Sequence, residues 1–160
     1  MPSGGDEGLA WVFRLLFVSA ALHVGEEFFF PGGFLGWANE AFAGGAMTPD
    51  LAVAVNAVFL ALMLAAALVG PRSLIFSLGM ATIVLINGTV HLVGTIVTSS
   101  YSPGVLTGML LYLPLATSAF VLARRSGRLA PATALRAIAL GAALHALPLA
   151  ILAIRRAGLA

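Results

Sequence analysis

The chain has 160 residues, of which 61% are hydrophobic and only 9% are charged, and its mean hydropathy is +1.06. A typical soluble domain is about 25% charged, so this composition excludes an ordinary water-soluble fold and predicts a membrane protein. The chain contains no cysteine, which excludes disulfides, thiolate metal sites and cysteine nucleophiles. The eight basic residues flank apolar runs and the net charge is only +2, so we expect no nucleic-acid partner.

The chain divides into five apolar stretches, each long enough to cross a bilayer, which takes about 20 residues. Glycine, proline and arginine residues separate them, as expected at helix ends. The stretches cover 9–29, 51–70, 74–98, 104–123 and 131–153. We therefore predict an all-α fold, a polytopic membrane helical bundle of five transmembrane helices, in which residues 1–160 form a single domain.

The arginines predict how this bundle is oriented, because cytoplasmic loops accumulate basic residues. Six arginines fall on the side of the N terminus, whereas only Arg155 and Arg156 fall on the other side. We predict that the N terminus is cytoplasmic and the C terminus is outside. Segment 31–50, rich in Phe, Gly and Ala, is expected to lie on the outer membrane surface or to fold back as a lid.

Four polar side chains fall at a similar depth inside the proposed spans. His23, Asn56, His91 and His145 each lie about 5 to 8 Å beyond the midplane on the outer side, by the helical rise per residue. Polar groups in hydrocarbon cost several kcal/mol unless they find partners. We therefore predict one shared polar layer, and we expect it to be the functional site.

Two short motifs contribute most of this layer. In His23-Val-Gly-Glu26-Glu27, the two glutamates flank the histidine at about 100° per residue, so all three side chains are predicted to project from one helix face. Asn87 and His91 are four residues apart and also share a face. The glycines beside them predict a close approach by another helix or by a ligand.

The stretch from His23 to Glu27 resembles the signature of the HXXEE family, small bacterial and archaeal integral membrane proteins named for that motif. The segment Asn87-Gly-Thr-Val-His91 is similar to the second polar motif of the family. The resemblance covers nearly the whole chain and implies a shared site in a bacterial or archaeal inner (cytoplasmic) membrane. It implies no particular reaction.

Imidazole and carboxylate groups together are the ligands that zinc and non-haem iron enzymes use. We therefore interpret the layer as a transition-metal site, for zinc or iron, of a metal-dependent enzyme. The candidate metal ligands are His23, Glu26, Glu27, His91 and His145. His23, Glu26 and Glu27 are also the candidate catalytic residues, and Asn56 and Asn87 are expected to support the ligands. Thr95, Thr107 and Tyr112 are expected to be supporting or packing groups.

Alternatives of other classes remain open from the sequence. One is a metal-free isomerase, cyclase or hydrolase, because a buried Glu and an adjacent His can exchange a proton. Another is a small proton-coupled transporter or carrier, and a structural subunit is a third. A site within the hydrocarbon core predicts a lipophilic substrate, such as a lipid or an isoprenoid-like molecule, and the lipid bilayer as partner. The sequence leaves open whether the chain forms a homo-oligomer.

Overall fold

The computed structural model describes residues 4–159, and every regular element in that part of the chain is helical. Residues 1–3 and 160, which belong to the predicted domain, lie outside the described residues. The helices are α1 (Gly4–Phe29), α2 (Gly33–Ala38), α3 (Pro49–Val69), α4 (Leu74–Thr98), α5 (Val105–Thr107), α6 (Leu113–Arg125) and α7 (Pro131–Arg156). The predicted all-α helical bundle is confirmed.

Four continuous helical segments are long and apolar enough to cross a membrane: Asp6–Phe29, Pro49–Thr98, Val105–Arg125 and Pro131–Arg156. The second has 50 residues, more than twice the length that a bilayer requires. It contains a 3-10 turn, Gly70–Ser73, where Gly70 adopts φ +53° and ψ −137° and so ends α3 before α4 begins. The described chain therefore contains five helices with the composition of membrane spans, as expected of an integral membrane protein.

The fourth predicted span differs from the prediction, because it is not one regular helix. Short α5 passes through a π-helical turn, Gly108–Tyr112, into α6. At this turn Gly108 lies against α4, and a Cβ atom on Gly88 would come within 3.2 Å of the Gly108 carbonyl oxygen. The predicted close approach at Gly88 is thus made by backbone, and α5, which precedes this turn, contacts α1.

Two arginines join elements at opposite ends of the bundle. At one end, the Arg128 guanidinium donates to the Asp6 carboxylate on α1 and to the carbonyl of Pro71 in the α3–α4 turn. At the other end, Arg156 on α7 donates to the carbonyl of Phe42, which follows α2. Successive long helices therefore alternate in direction, as a five-span bundle with short loops requires.

The core is formed where α1, α4 and α6 meet, with α3 and α7 packed on either side. Small residues set the closest approach: a Cβ on Gly141 of α7 would collide with the carbonyl of Gly79 and lie 2.5 Å from Cβ of Thr82. Because lipid supplies no hydrophobic drive between helices, such backbone contacts hold a membrane bundle together.

Candidate metal centre

Three buried side chains from α1 and α4 converge on one point. Nε2 of His23 lies 3.4 Å from Oε1 of Glu27, and Nε2 of His91 lies 3.2 Å from the same oxygen. One ligand atom from each of the three residues lies within 4.8 Å of the others. The relative exposures are 1% for each histidine and 6% for the glutamate, so the cluster is closed to solvent.

The sequence places these groups by simple helix geometry. His23 and Glu27 are four residues apart on α1 and therefore lie one above the other on one face. His91 comes from the second polar motif on α4, and its ring meets that of His23 edge to face, with centroids 4.9 Å apart. The predicted shared site is therefore formed by one residue pair on α1 and one residue on α4.

A hydroxyl group holds the second ring nitrogen of each histidine. Nδ1 of His23 lies 2.8 Å from Oγ1 of Thr107, and Nδ1 of His91 lies 2.9 Å from Oγ of Ser102. The ring of Tyr112 stacks on His23 with centroids 4.3 Å apart, and Phe34 of α2 packs on His91 at 5.0 Å. Both Nε2 atoms are thereby oriented toward Glu27.

Glu26 is directed elsewhere, although it is adjacent to Glu27. Its carboxylate accepts hydrogen bonds from the backbone N–H groups of Gly104, Leu106 and Thr107, at 2.8 to 3.1 Å. It also accepts hydrogen bonds from the hydroxyls of Thr107 and Tyr101. This departs from the prediction that both glutamates serve one centre, because a step of one residue turns the side chain by about 100°. Glu26 instead fixes the start of α5.

Tyr101 is the titratable donor of this network, and it lies in the α4–α5 loop outside the spanning segments. Its burial, together with the hydrogen bond that it donates to Glu26, raises the pKa of the phenol to about 12. The phenol therefore stays protonated and remains a donor to Glu26 through the physiological range. Tyr101 therefore joins the loop to the Glu26 carboxylate.

The loop between α4 and α5 passes directly over the two imidazoles. Gly104, at φ +108°, has no side chain there, and a Cβ atom would lie 2.7 Å from Cε1 of His91 and 2.8 Å from Cε1 of His23. A glycine is required both by the backbone conformation and by this contact. The loop therefore seals the cluster on the side opposite α3.

A cavity of about 590 Å³ reaches Glu27 from the other side, between the end of α1, α2 and the start of α3. Glu27 and Asn56 supply the polar side chains of its lining, and the walls are mostly apolar. The side chains and glycines of the wall are Phe28, Phe30, Gly32, Gly33, Phe34, Leu35, Gly36, Pro49, Ala52 and Val53. The segment after α1 thus covers the site and bounds the cavity.

Of the other predicted site residues, His145 is not brought to the cluster. It is half-buried on α7 and is not part of the group of converging ligand atoms in the described chain. Because Gly141 contacts Thr82, His145 lies about 6 Å beyond that contact and His91 about 13 Å beyond it, by the helical rise. This departs from the prediction of one shared layer, because His145 lies about 7 Å, a little more than one helical turn, short of the level of His91.

The two asparagines take separate positions. Asn56 lines the cavity and its amide Nδ2 donates to Ala52 of its own helix at 3.2 Å. Asn87 lies one turn before His91, and its Oδ1 is buried without a protein partner among the described residues. Neither asparagine forms a hydrogen bond with His23, Glu27 or His91 among the described residues, and their predicted supporting role stays a prediction.

The α4–α5 loop was not predicted as part of the site. Tyr101, Ser102 and Gly104 lie there, and none of them was among the predicted site residues. The available signal was Pro103-Gly104, a tight turn immediately before Thr107, the hydroxyl residue already expected to support the site. Predicted Thr95 does contribute, since its Oγ1 accepts the backbone N–H of Ser102 at 3.1 Å.

Together, the fold and the site define a small helical membrane protein with a sealed two-histidine, one-carboxylate cluster. The chain belongs to the HXXEE family, because the model described as "protein of unknown function with HXXEE motif" matches residues 13–119. The matched region contains the whole cluster, all of α4 and the part of α1 that carries His23 and Glu27. No curated protein and no solved structure matches the chain.

Proposed function

We propose that the chain is a metal-dependent membrane enzyme that acts on a lipophilic substrate, with His23, Glu27 and His91 as ligands of a transition metal ion, zinc or iron. The observation that supports it best is the convergence of two imidazole Nε2 atoms on one carboxylate oxygen in a closed site. Nε2 of His23 is buried without a hydrogen-bond partner among the described residues, which is the state expected of a ligand atom whose partner is an ion.

The distances between the ligand atoms fit a bound zinc ion. Ligand atoms about 2.0 to 2.2 Å from a tetrahedral zinc ion lie about 3.3 Å from one another. The two measured nitrogen–oxygen separations are 3.4 Å and 3.2 Å. Two histidines and one carboxylate are also the set that non-haem iron enzymes use. Three protein ligands leave an open position, where a bound metal ion activates water or polarises a substrate oxygen.

The local charge also favours a cation. Glu27 is almost fully buried, and no arginine forms an ion pair with it in residues 4–159. A buried carboxylate without a compensating charge costs several kcal/mol. A metal ion supplies that charge without requiring either histidine to carry an extra proton.

The cavity supports the choice of substrate class. Its volume of about 590 Å³ falls within the range of small-molecule sites, about 300 to 1,000 Å³, and Glu27 lies in its lining. Its walls are apolar, and Asn56 is the remaining polar side chain of the lining. A lipophilic molecule would place its body against the phenylalanines and one polar group near Asn56 and the metal centre.

We place the N terminus and the arginine-rich end in the cytoplasm. Arg72, Arg124 and Arg125 are exposed at the end where Arg128 contacts Asp6, and basic residues accumulate on the cytoplasmic side. With this orientation the centre and its cavity lie in the outer half of the membrane, and a substrate enters from the outer leaflet.

A second candidate function is metal-free acid–base catalysis. It is favoured by the separation of 3.4 Å between His23 and Glu27, because a protonated imidazole there would donate to the carboxylate. Both candidates use the same residues and the same cavity. They differ in whether a metal ion or a proton lies between the two groups.

Elemental analysis separates the two candidates. Detergent-purified protein, loaded in turn with Zn²⁺ and Fe²⁺ and dialysed, is expected to retain about one ion per chain. His23→Ala and His91→Ala are expected to lose it, whereas His145→Ala, a half-buried histidine outside the cluster, keeps it. A folded wild-type protein that retains neither ion overturns the metal proposal in favour of acid–base catalysis.

A further inference from the structure

We infer that Glu26 is a positioning residue, which acts through the hydroxyl of Thr107 to hold the proton of His23 on Nδ1 and to keep Nε2 free as a metal ligand. The inference deepens the proposed metal site and rests on it for its consequence. It assigns different tasks to the two adjacent glutamates, since Glu27 provides a ligand oxygen and Glu26 controls a ligand from outside.

The argument begins with the donors around Glu26. Two carboxylate oxygens accept five hydrogen bonds, three of them from backbone N–H groups of Gly104, Leu106 and Thr107. Backbone N–H groups are fixed donors, so they require an acceptor, and an ionised carboxylate is acceptor-only. Glu26 therefore has no proton to donate to Thr107.

The hydroxyl of Thr107 can donate to the Glu26 carboxylate or to the more distant carbonyl of Gly104, at 3.4 Å, and in either case it does not donate to His23. Its Oγ1 lies 2.6 Å from Oε2 of Glu26 and 2.8 Å from Nδ1 of His23, and it carries a single hydrogen. A separation of 2.6 Å between a hydroxyl and a carboxylate oxygen requires the hydrogen to lie between them. The hydroxyl therefore donates to Glu26 and accepts from His23.

It follows that Nδ1 of His23 is the donor. In a neutral imidazole only one ring nitrogen carries hydrogen, so Nε2 presents its lone pair to the centre beside Glu27. The partnerless Nε2 agrees with this assignment. Two acceptors facing each other at 3.4 Å repel unless a cation lies between them.

His91 provides an internal contrast. Its Nδ1 contacts Ser102, whose Oγ has no other hydrogen-bond partner in the described chain, so that hydroxyl is free to donate or to accept. His91 is therefore not restricted to one tautomer, whereas His23 is. The HXXEE motif thus contains both a ligand pair, His23 and Glu27, and the acid that prepares the histidine.

The test reads the tautomer directly. Protein labelled with ¹⁵N-histidine is prepared free of metal at mildly alkaline pH, and long-range ¹H–¹⁵N correlation spectra are recorded, with His145→Ala and His91→Gln used for assignment. His23 is expected to show a protonated Nδ1 and an unprotonated Nε2. A proton on Nε2 of His23 in this state overturns the inference, whether or not Nδ1 is also protonated.

Variants test the relay. Thr107→Val removes the hydroxyl at nearly constant volume, and it is expected to shift His23 toward the Nε2–H tautomer and to weaken zinc binding about 10- to 100-fold. Thr107→Ser restores both properties, and Ser102→Ala leaves the His23 signals unchanged. The inference is contradicted if Thr107→Val has the same zinc affinity and the same His23 tautomer as the wild type. Since the tautomer is read without metal, a chain that binds no metal but shows this tautomer overturns only the proposed function.

Discussion

His23 and Glu27 lie one turn apart on α1, with Nε2 and Oε1 separated by 3.4 Å inside the bundle. Neither group has an arginine as partner in the described chain. Because His91 approaches the same oxygen from α4, the arrangement joins the two polar motifs of the sequence into one cluster.

Gly104→Ala is expected to disrupt the centre. The new Cβ would lie within 2.9 Å of both imidazoles, and φ +108° is unfavourable for alanine by about 2 kcal/mol. We expect a lower melting temperature and loss of bound zinc, measured by thermal unfolding in detergent and by elemental analysis. Gly25→Ala on α1 is the control, because its Cβ would meet nothing within 4 Å. Retention of zinc in Gly104→Ala would show that the loop does not pack on the histidines.

Gly94→Ala is expected to move α2 away from α4. A Cβ atom there would lie 2.7 Å from Cη2 of Trp37, whose indole N–H donates to Ser100. In a Trp11→Phe background, the emission maximum of Trp37 is expected to shift in wavelength. The occupancy of the cavity by a ligand is expected to fall. Gly36→Ala, with open space at its Cβ, is expected to leave the spectrum unchanged. An unaltered spectrum in Gly94→Ala means that α2 is not docked there.

Gly141→Ala is expected to destabilise the contact between α4 and α7 by about 1 to 3 kcal/mol, because the colliding atoms belong to backbone and to the Cβ of Thr82, which cannot move aside. Denaturant unfolding followed by circular dichroism measures the loss. Ala142→Leu, at the next and exposed position of α7, serves as the matched change and is expected to have little effect. Equal stability of Gly141→Ala and wild type would refute this close packing.

Arg128→Ala is expected to loosen the arginine-rich end. Arg128 pairs with Asp6 and donates to the Pro71 carbonyl, but both charged side chains are about one-third exposed, so we expect a loss of only about 1 kcal/mol. The effect on thermal unfolding should exceed that of Arg125→Ala, an exposed arginine nearby. Bound zinc should be the same in both variants. Equal stability of the two variants would show that the arginine does not join these elements.

Much of the fold was predictable from the sequence because long apolar runs define helices almost by themselves. The α4 span, 74–98, was predicted with the bounds that the structure gives. The break at Gly108–Tyr112 was not predictable, because it depends on the contact between Gly88 and Gly108, which are distant in sequence.

The candidate site, like the fold, was predictable from the sequence only in part. The spacing of four residues predicted the pairing of His23 with Glu27, and burial cost predicted that His91 would join them. Sequence spacing could not show that Glu26 turns to the start of α5, since the free N–H groups of Gly104, Leu106 and Thr107 are positioned only by the fold. The depth of His145 in the bundle depends on the position of α7 along α4, and no local sequence pattern predicts that position.

The most direct test of the central claim is X-ray absorption spectroscopy at the metal edge of the zinc-loaded protein, with His145→Ala and His91→Ala measured beside it. We predict two imidazoles and one carboxylate around the ion in wild type and in His145→Ala, and one imidazole fewer, or no bound ion, in His91→Ala. A wild-type spectrum with three imidazoles, or one unchanged by His91→Ala, would contradict the assignment of His23, Glu27 and His91 as the metal ligands.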